Sequence, residues 1–518
     1  MPRPVDALVV GAGHNGLVAA LLLARAGLRV RVLEADTVVG GACRTEYPFK
    51  KAPRLGQSTG AYLLGLMPPE LMQKLGIALP LLRRDPHYFL PPTSERHLLF
   101  GRDRSATEAQ IRRFFSSKDF EADRALQEEI AMLRDDLAPA WLRAPLSIED
   151  TAERYVRASL RDVFVDLCRG SVGAYLARFG FQSELLESMY AVTDGFTGLH
   201  GSWDTPGSGM NFLTHNMCRL PGSDGTWMVV RGGMGTVTRT LAESARLAGV
   251  EIVLGSRVAA LELEQGTVVG ALTSNGELHR SRVTLVNADP FRLLGLLGDQ
   301  VPDGLRTRVE GCHHPGTSIK VNLCLGDLPK FSCLPEDRGQ HRATIHLLPE
   351  QNTRAALTAA FAECEAGRLP QEPSIEWYIH TTLDPSLQDG QGRHSAALFC
   401  QWVPYELAGT SWDVEEEGFV RHLLAICDRY APGTSSLVED VFTLTPPKIE
   451  EHFGITAGHI HHLDNRFGFA DRLPYHLGLQ GLYACGAGCH PAGSVIGAAG
   501  HNAAMQALDD LAIVSSMG

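Results

Sequence analysis

The stretch Ala7-Leu-Val-Val10-Gly11-Ala-Gly13-His-Asn15-Gly16, which runs straight into the aliphatic segment Leu17 to Ala26, decides how the rest of this 518-residue chain is read. An apolar run that breaks into G-x-G-x-x-G and reopens as a strong helix former has the layout of a dinucleotide fingerprint. That pattern also needs an acid about 20 residues further on, and Leu28 to Leu33 alternates like a strand that delivers Glu34 there. In this reading Gly11 makes the tight turn, Gly13 lets backbone approach a pyrophosphate, and Gly16 lets helix and strand pack closely. The helix amino end meets the phosphates with free N–H groups and partial positive charge. Glu34 accepts hydrogen bonds from ribose hydroxyls, which disfavours a 2′-phosphate and hence NADP. These residues alone leave FAD and NAD both open.

The composition, 44% hydrophobic and 20% charged, is that of a folded globular chain, and the length allows two or three domains. A formal charge of −12 without a basic block argues against a nucleic-acid partner. No window reaches the ~18 consecutive apolar residues of a membrane span. The first strand begins so close to Met1 that no signal peptide is expected, and the expected location is the cytoplasm. The eleven cysteines are scattered and odd in number, as suits reduced thiols. Pro48 stands where a C-x4-C partner of Cys43 would be, and Cys485 with Cys489 read as two small buried thiols.

Further along, Ser105 with Glu108 and Ser147 with Asp150 read as capping boxes, the second opening a helical run to about Arg178. A helical insert is expected over 81–227. Gly233-Met-Gly235 is not a second nucleotide turn, because Thr238 stands where the third glycine belongs. Alternating segments such as Ser318 to Cys324 and Ala396 to Val403 predict a mainly antiparallel sheet over 301–454, forming the floor of a cavity. Residues 1–80, 228–300 and 455–518 are expected to build one discontinuous nucleotide domain. His459, His461 and His462 fall on an alternating segment that would split them across two strand faces, away from a shared metal. The strand Gly481 to Cys485, the turn from Gly486 through His490 to Gly500 and a following helix make a second anion site.

The motifs Val9 to Leu17, Gly40 to Glu46, Asp204 to Gly209, Arg231 to Val237, Val286 to Pro290, Gly454 to His462 and Gly481 to Ala504 resemble those of the phytoene desaturase-like flavoproteins. Within that family the chain is most similar to the branch called pyridine nucleotide-disulfide oxidoreductase domain-containing protein 2, and Gly40-Gly41 resembles the flavin doublet of glutathione-reductase-like and amine-oxidase-like proteins. The resemblance covers almost the whole chain. It implies an α/β fold in which a Rossmann-like FAD-binding domain is interleaved with a substrate domain of mainly antiparallel sheet and a helical insert. It implies FAD, with Gly11, Gly13, Asn15 and Gly16 at the pyrophosphate, Glu34 and Ala35 at the ribose, and Gly40, Gly41, Ala42 and Thr45 beside phosphates and ribityl. Val258 would hold the adenine edge, Gly486 would lie near the ribityl, and Val495, Ile496 and Gly497 would meet the flavin ring. Cys489 and Ala492 depart from the family turn, where Thr and Gly are expected. The same motifs put His490 and His462 near the cofactor, and an unperturbed pKa of ~6.5 makes each a candidate for proton transfer.

The activity implied is dehydrogenation of a largely apolar small molecule by hydride transfer to flavin N5, with oxygen or a quinone as electron acceptor. Amine oxidation and a redox-silent use of FAD, as isomerase or binding scaffold, are the alternatives. Oligomeric state is not legible.

Overall fold

The computed structural model describes residues 3–92 and 96–517. Strand β1 (Val5–Val10) ends at Gly11, whose φ of +98° is a conformation glycine adopts freely, and helix α1 (His14–Arg25) and strand β2 (Val30–Leu33) follow. The chain then leaves this layer to form β3 (Tyr88–Leu90) and β4 (Leu98–Phe100), followed by helices that include α2 (Ser117–Leu137) and α3 (Ser208–His215). It returns as α4 (Gly235–Leu247), β5 (Glu251–Val253), β6 (Val258–Glu264), β7 (Thr267–Thr273) and β8 (Leu278–Val286). Strands β9 (Ser318–Leu325), β10 (Thr344–Leu347), β11 (Ile375–Tyr378), β12 (His394–Gln401) and β13 (Val438–Leu444) come next, with helix α5 (Trp412–Tyr430) before the last of them. Strand β14 (Leu482–Ala484) and helix α6 (Ala498–Met517) close the chain.

Two sheets result. The first runs β6-β7-β8-β1-β2-β5 with β14 also on β8, and its parallel core is β14, β8, β1, β2 and β5. Covered on both faces, β1 reads as a nearly unbroken apolar run. The second sheet runs β13-β9-β12-β11-β10-β3-β4 and is antiparallel except where β10 meets β3. Helix α6 lies across the start of α1, where a Cβ on Gly500 would collide with the Asn15 carbonyl oxygen. The missing side chain permits the crossing.

Several local expectations give way to neighbours. Asp103, not Ser105, caps its helix, because the Asp103 carboxylate accepts from the Ala106 N–H at 3.1 Å and starts the helix two residues earlier. The run expected from Ser147 to Arg178 breaks into Ile148–Tyr155, Arg161–Arg169 and Val172–Ala177, with short connections between. Tyr88–Leu90 and Leu98–Phe100, expected in the helical insert, add β3 and β4 to the second sheet. The glycine- and proline-rich passage after Gly198 contains the wholly buried helix α3, whose Gly209 faces the Leu167 carbonyl so closely that a Cβ would clash. Packing there overrides propensity. His459 to His462 form no strand: a short 3-10 turn, Thr456–Gly458, leads into irregular backbone, with His462 at φ +62°.

Candidate active site

A continuous cavity of about 1010 Å³ joins the glycine turns of the first sheet to one face of the second. At the first-sheet end, Gly40 pairs with Gly13, and its N–H donates to the Ala12 carbonyl at 3.0 Å, so the second glycine doublet lies against the first turn. Arg44 fixes the doublet, donating from Nε to the Gly41 carbonyl and from Nη1 to Asp36, both at 2.7 Å. At the end of β2, the Glu34 carboxylate accepts the Ala12 N–H at 2.6 Å and the Asp36 N–H at 2.9 Å, which holds it on the rim.

These residues fit FAD. Helix α1 begins after Gly13 with no side-chain cap, so its first N–H groups have no intrahelical partner. His14 Nε2, Asn15 Oδ1 and His462 Nδ1, all on lining residues, are buried polar atoms with no hydrogen-bond partner among the described residues, the state a polar ligand relieves. Burial, with a smaller push from His462, lowers His14 to about 4, so at neutral pH its imidazole is uncharged. Gly13 acts differently from the simplest reading of the fingerprint. A Cβ on Gly13 would meet the Asn287 amide at 2.9 Å, and Asn287, just past β8, donates to the Gly11 carbonyl at 3.3 Å. A Cβ on Gly16 would collide first with the Gly11 carbonyl oxygen and then with the same amide, so Gly13 makes room for this asparagine and Gly16 lets the helix pack closely on the turn.

The other end of the cavity is the polar face of the second sheet. Alternation along β9 puts Ile319, Val321 and Leu323 into a core with Trp377 and Leu398, and turns Lys320 toward the cavity. Lys320 and Glu376 both stand opposite Phe399 of the strand between them, forming one row across β9, β12 and β11. Glu376 accepts from the hydroxyls of Tyr378 and Thr197, and burial raises it to about 7. Lys320 is pulled down to about 7, again by burial, which Glu376 opposes. Arg84 enters from the loop before β3 and donates from Nε to the Trp227 carbonyl at 2.9 Å and from Nη1 to Thr344 Oγ1 at 2.5 Å. Asp194 comes from a π-helical turn, Ala191–Phe196, a geometry frequent at functional sites. It accepts from Asn216 at 3.1 Å, and burial raises it to about 7. Lys320, Glu376, Arg84 and Asp194 escaped sequence reasoning, and among them only Lys320 and Glu376 had a local signal, the polar-apolar alternation of β9 and β11.

Of the residues expected at the cofactor, Gly11, Gly13, Asn15, Glu34, Ala35, Gly40, Gly41, Ala42, Val258, Val495 and His462 line the cavity. Gly16, Thr45, Gly486, Ile496, Gly497 and His490 fall outside the lining. Thr45 instead bridges two backbones, donating to the Gly232 carbonyl at 2.9 Å and accepting from the Gly235 N–H at 3.0 Å. Burial holds His490 at about 4, and its Nε2 meets the Ala140 carbonyl at 3.3 Å, so the ring packs into the helical layer and does not face the cavity. His459 lies 3.4 Å from Asp464, and His461 Nε2 is 2.9 Å from the Thr197 carbonyl. The closing turn is clamped by the buried guanidinium of Arg472, which donates to the carbonyls of Cys489, Asp464, Phe467, Leu463 and Ala487 and to Asn465 Oδ1. Cys43, Cys485 and Cys489 are buried free thiols, and burial raises the pKa of each.

Known proteins resemble the chain over most of its length. The model of the flavin containing amine oxidoreductase family matches residues 16–324. A mouse protein called pyridine nucleotide-disulfide oxidoreductase domain-containing protein 2 is 34% identical, with 98% of this chain and 94% of that one covered. A limonene dehydrogenase component from Castellaniella defragrans is 23% identical over 99% of this chain and 96% of its own. Among solved structures, putrescine oxidase bound to putrescine superposes with a TM-score of 0.62 at 17% identity, covering 98% of this chain and 99% of that one. An oxidoreductase from Methanosarcina mazei gives 0.61 at 17%, covering 97% and 100%. The chain belongs to the flavin-containing amine oxidoreductase family and is an FAD-dependent oxidoreductase.

Proposed function

We propose that this oxidoreductase dehydrogenates a small molecule that carries a strongly polar or ionised group beside its reactive C–H bond. The observation that supports this best is the continuity of one cavity from the glycine turns to the row Lys320, Phe399 and Glu376. Gly11, Gly13, Asn15, Glu34, Ala35, Gly40, Gly41, Ala42, Val258 and Val495 would hold FAD. When bound, FAD supplies a two-electron acceptor, and oxygen or a quinone would reoxidise it. The chain's own part is to orient the substrate, exclude water and move protons. Tyr62 and Phe399 wall the cavity beside Lys320, and the Lys320 Nζ and the Glu376 carboxyl, both near 7, take or give a proton at neutral pH.

A largely apolar substrate, the expectation from sequence and the one suggested by the name of the limonene dehydrogenase relative, fits this floor poorly. A hydrocarbon would leave Arg84, Lys320, Glu376 and Asp194 desolvated without offering any of them a partner. Amine oxidation is the second reading, supported by the two cavity carboxyls and by the aromatic walls that Tyr62, Tyr378 and Trp227 provide from outside the closing motif.

The test is anaerobic mixing of the FAD-loaded protein with panels of carboxylic acids, amines and hydrocarbons. The expected result is bleaching of the flavin band by a polar panel, with a product lighter by two hydrogens. Bound FAD that no panel reduces would remove the redox reading. Bleaching by hydrocarbons alone would restore the apolar one.

A further inference from the structure

Two cations face this cavity without an anion to meet them. Among the described residues neither Arg84 nor Lys320 forms an ion pair, although both side chains are buried. Arg84 spends Nε on the Trp227 carbonyl and Nη1 on Thr344, and Nη2 has no hydrogen bond among the described residues. Lys320 has none there either, only the rings of Tyr62 and Phe399, whose centres lie 4.2 Å and 4.3 Å from its Nζ. The neighbouring acids are otherwise engaged: Glu376 with Tyr378 and Thr197, Asp194 with Asn216. A buried guanidinium that keeps Nη2 free in a cavity is an anion receptor, because that nitrogen can donate a charge-assisted hydrogen bond to a carboxylate oxygen.

The contacts also set an order along the cavity. Ala61 donates to the Ala42 carbonyl at 2.9 Å, and the next residue, Tyr62, carries Lys320 on its ring. Tyr62 packs on Tyr378 with ring centres 5.2 Å apart, and Thr344, which neighbours Tyr378 across β10 and β11, receives Arg84. Lys320 thus stands next to the glycine cradle and Arg84 stands beyond it.

We infer that the substrate is an organic carboxylate, its anionic end held by Arg84 at the end of the cavity away from the glycine turns, with Lys320 between that end and the cradle. An ammonium group placed there would leave both cations unpaired and meet their repulsion. The inference rests on the preceding reading in treating this cavity as the substrate site, so its test measures binding and not turnover.

Straight-chain carboxylates from acetate to dodecanoate, with the matching amines and alcohols, are titrated into the FAD-loaded protein. The flavin difference spectrum and the melting temperature are followed together. At least one carboxylate is expected to saturate both signals, with its matching amine and alcohol weaker by about tenfold or more. Arg84→Met is expected to lose about tenfold or more in carboxylate affinity and Arg84→Lys to retain part of it. Lys320→Met should weaken the same acids while raising the melting temperature of the free protein. No binding by any acid, an amine that binds as tightly as its acid, or unchanged affinity in Arg84→Met would each overturn the inference. If circular dichroism shows Arg84→Met unfolded, the Lys320→Met titration and the acid-against-amine comparison decide. Acids that bind to a protein whose flavin nothing reduces would keep the receptor and remove the redox reading. Amines that reduce the flavin where no acid binds would do the reverse.

Discussion

The Nζ of Lys320 lies 4.2 Å from the centre of the Tyr62 ring, and this aromatic face, shared with Phe399, lies against a cation taken out of water. Burial pulls Lys320 down from 10.5 to about 7. Between those two pH values the unfolded chain holds the extra proton, so stability rises with pH through that window and the full penalty applies below about 7. Lys320→Met should therefore be more stable than the native protein at pH 6, by on the order of 2 kcal/mol, and should show less gain toward pH 10. Urea unfolding at the two pH values checks this.

Glu376 carries the opposite slope. Its folded form keeps a proton up to about 7, against 4.5 for the free group, so the native state holds more protons between those values and stability falls as pH rises through them. Glu376→Gln, neutral throughout, should lack that fall. Melting curves from pH 4.5 to 7.5 for both proteins would show parallel lines if Glu376 were ordinary, and converging or crossing lines if burial has shifted it.

At the rim of the cradle, Glu34 offers its carboxylate to two backbone N–H groups, of Ala12 and Asp36. Glu34→Ala removes both anchors and the acceptor for a ribose. FAD affinity should drop by roughly 10- to 100-fold, since charge-assisted hydrogen bonds contribute about 1.5–3 kcal/mol each. Flavin fluorescence on dilution reads the release directly.

Arg472 is a different kind of site, one charge spread over six neutral acceptors. A lysine has neither the fork nor enough donors to replace it. Arg472→Lys should cost on the order of 3 kcal/mol or more, seen as a lower melting temperature, and the closing turn should become the first cleavage site in limited proteolysis.

His490, whose sequence position suggests chemistry, should behave as a packing residue. Its imidazole contacts the Ala140 carbonyl and the Phe469 ring, 5.4 Å between centres. His490→Gln is expected to cost about 1 kcal/mol in stability and leave flavin reduction within about twofold of native. Stopped-flow reduction by any active substrate tests it, and a loss of a hundredfold would return the residue to the reaction.

What the chain made legible in advance follows the range of the forces involved. The turn from Val10 to Gly16 and the acid at Glu34 are local, and spacing alone announces them. Lys320 was half legible: its alternation with Ile319 and Val321 marks a two-faced strand, but a polar face ordinarily means solvent, and here it means an enclosed chamber. Arg84, Asp194 and Glu376 come from three separate segments whose meeting is set by tertiary packing, and a π-helical turn has no sequence period. His490 misled because a motif places backbone, whereas the direction of a ring depends on its rotamer and its neighbours.

The meeting of Gly500 with the carbonyl of Asn15 binds together two stretches that are remote in the sequence. The fingerprint turn is therefore sealed by a helix it has no local means of recruiting, and the berth for the coenzyme closes only when the tertiary fold has brought the two together. A bulkier residue at 500 would pry that seal open without touching a single cofactor contact.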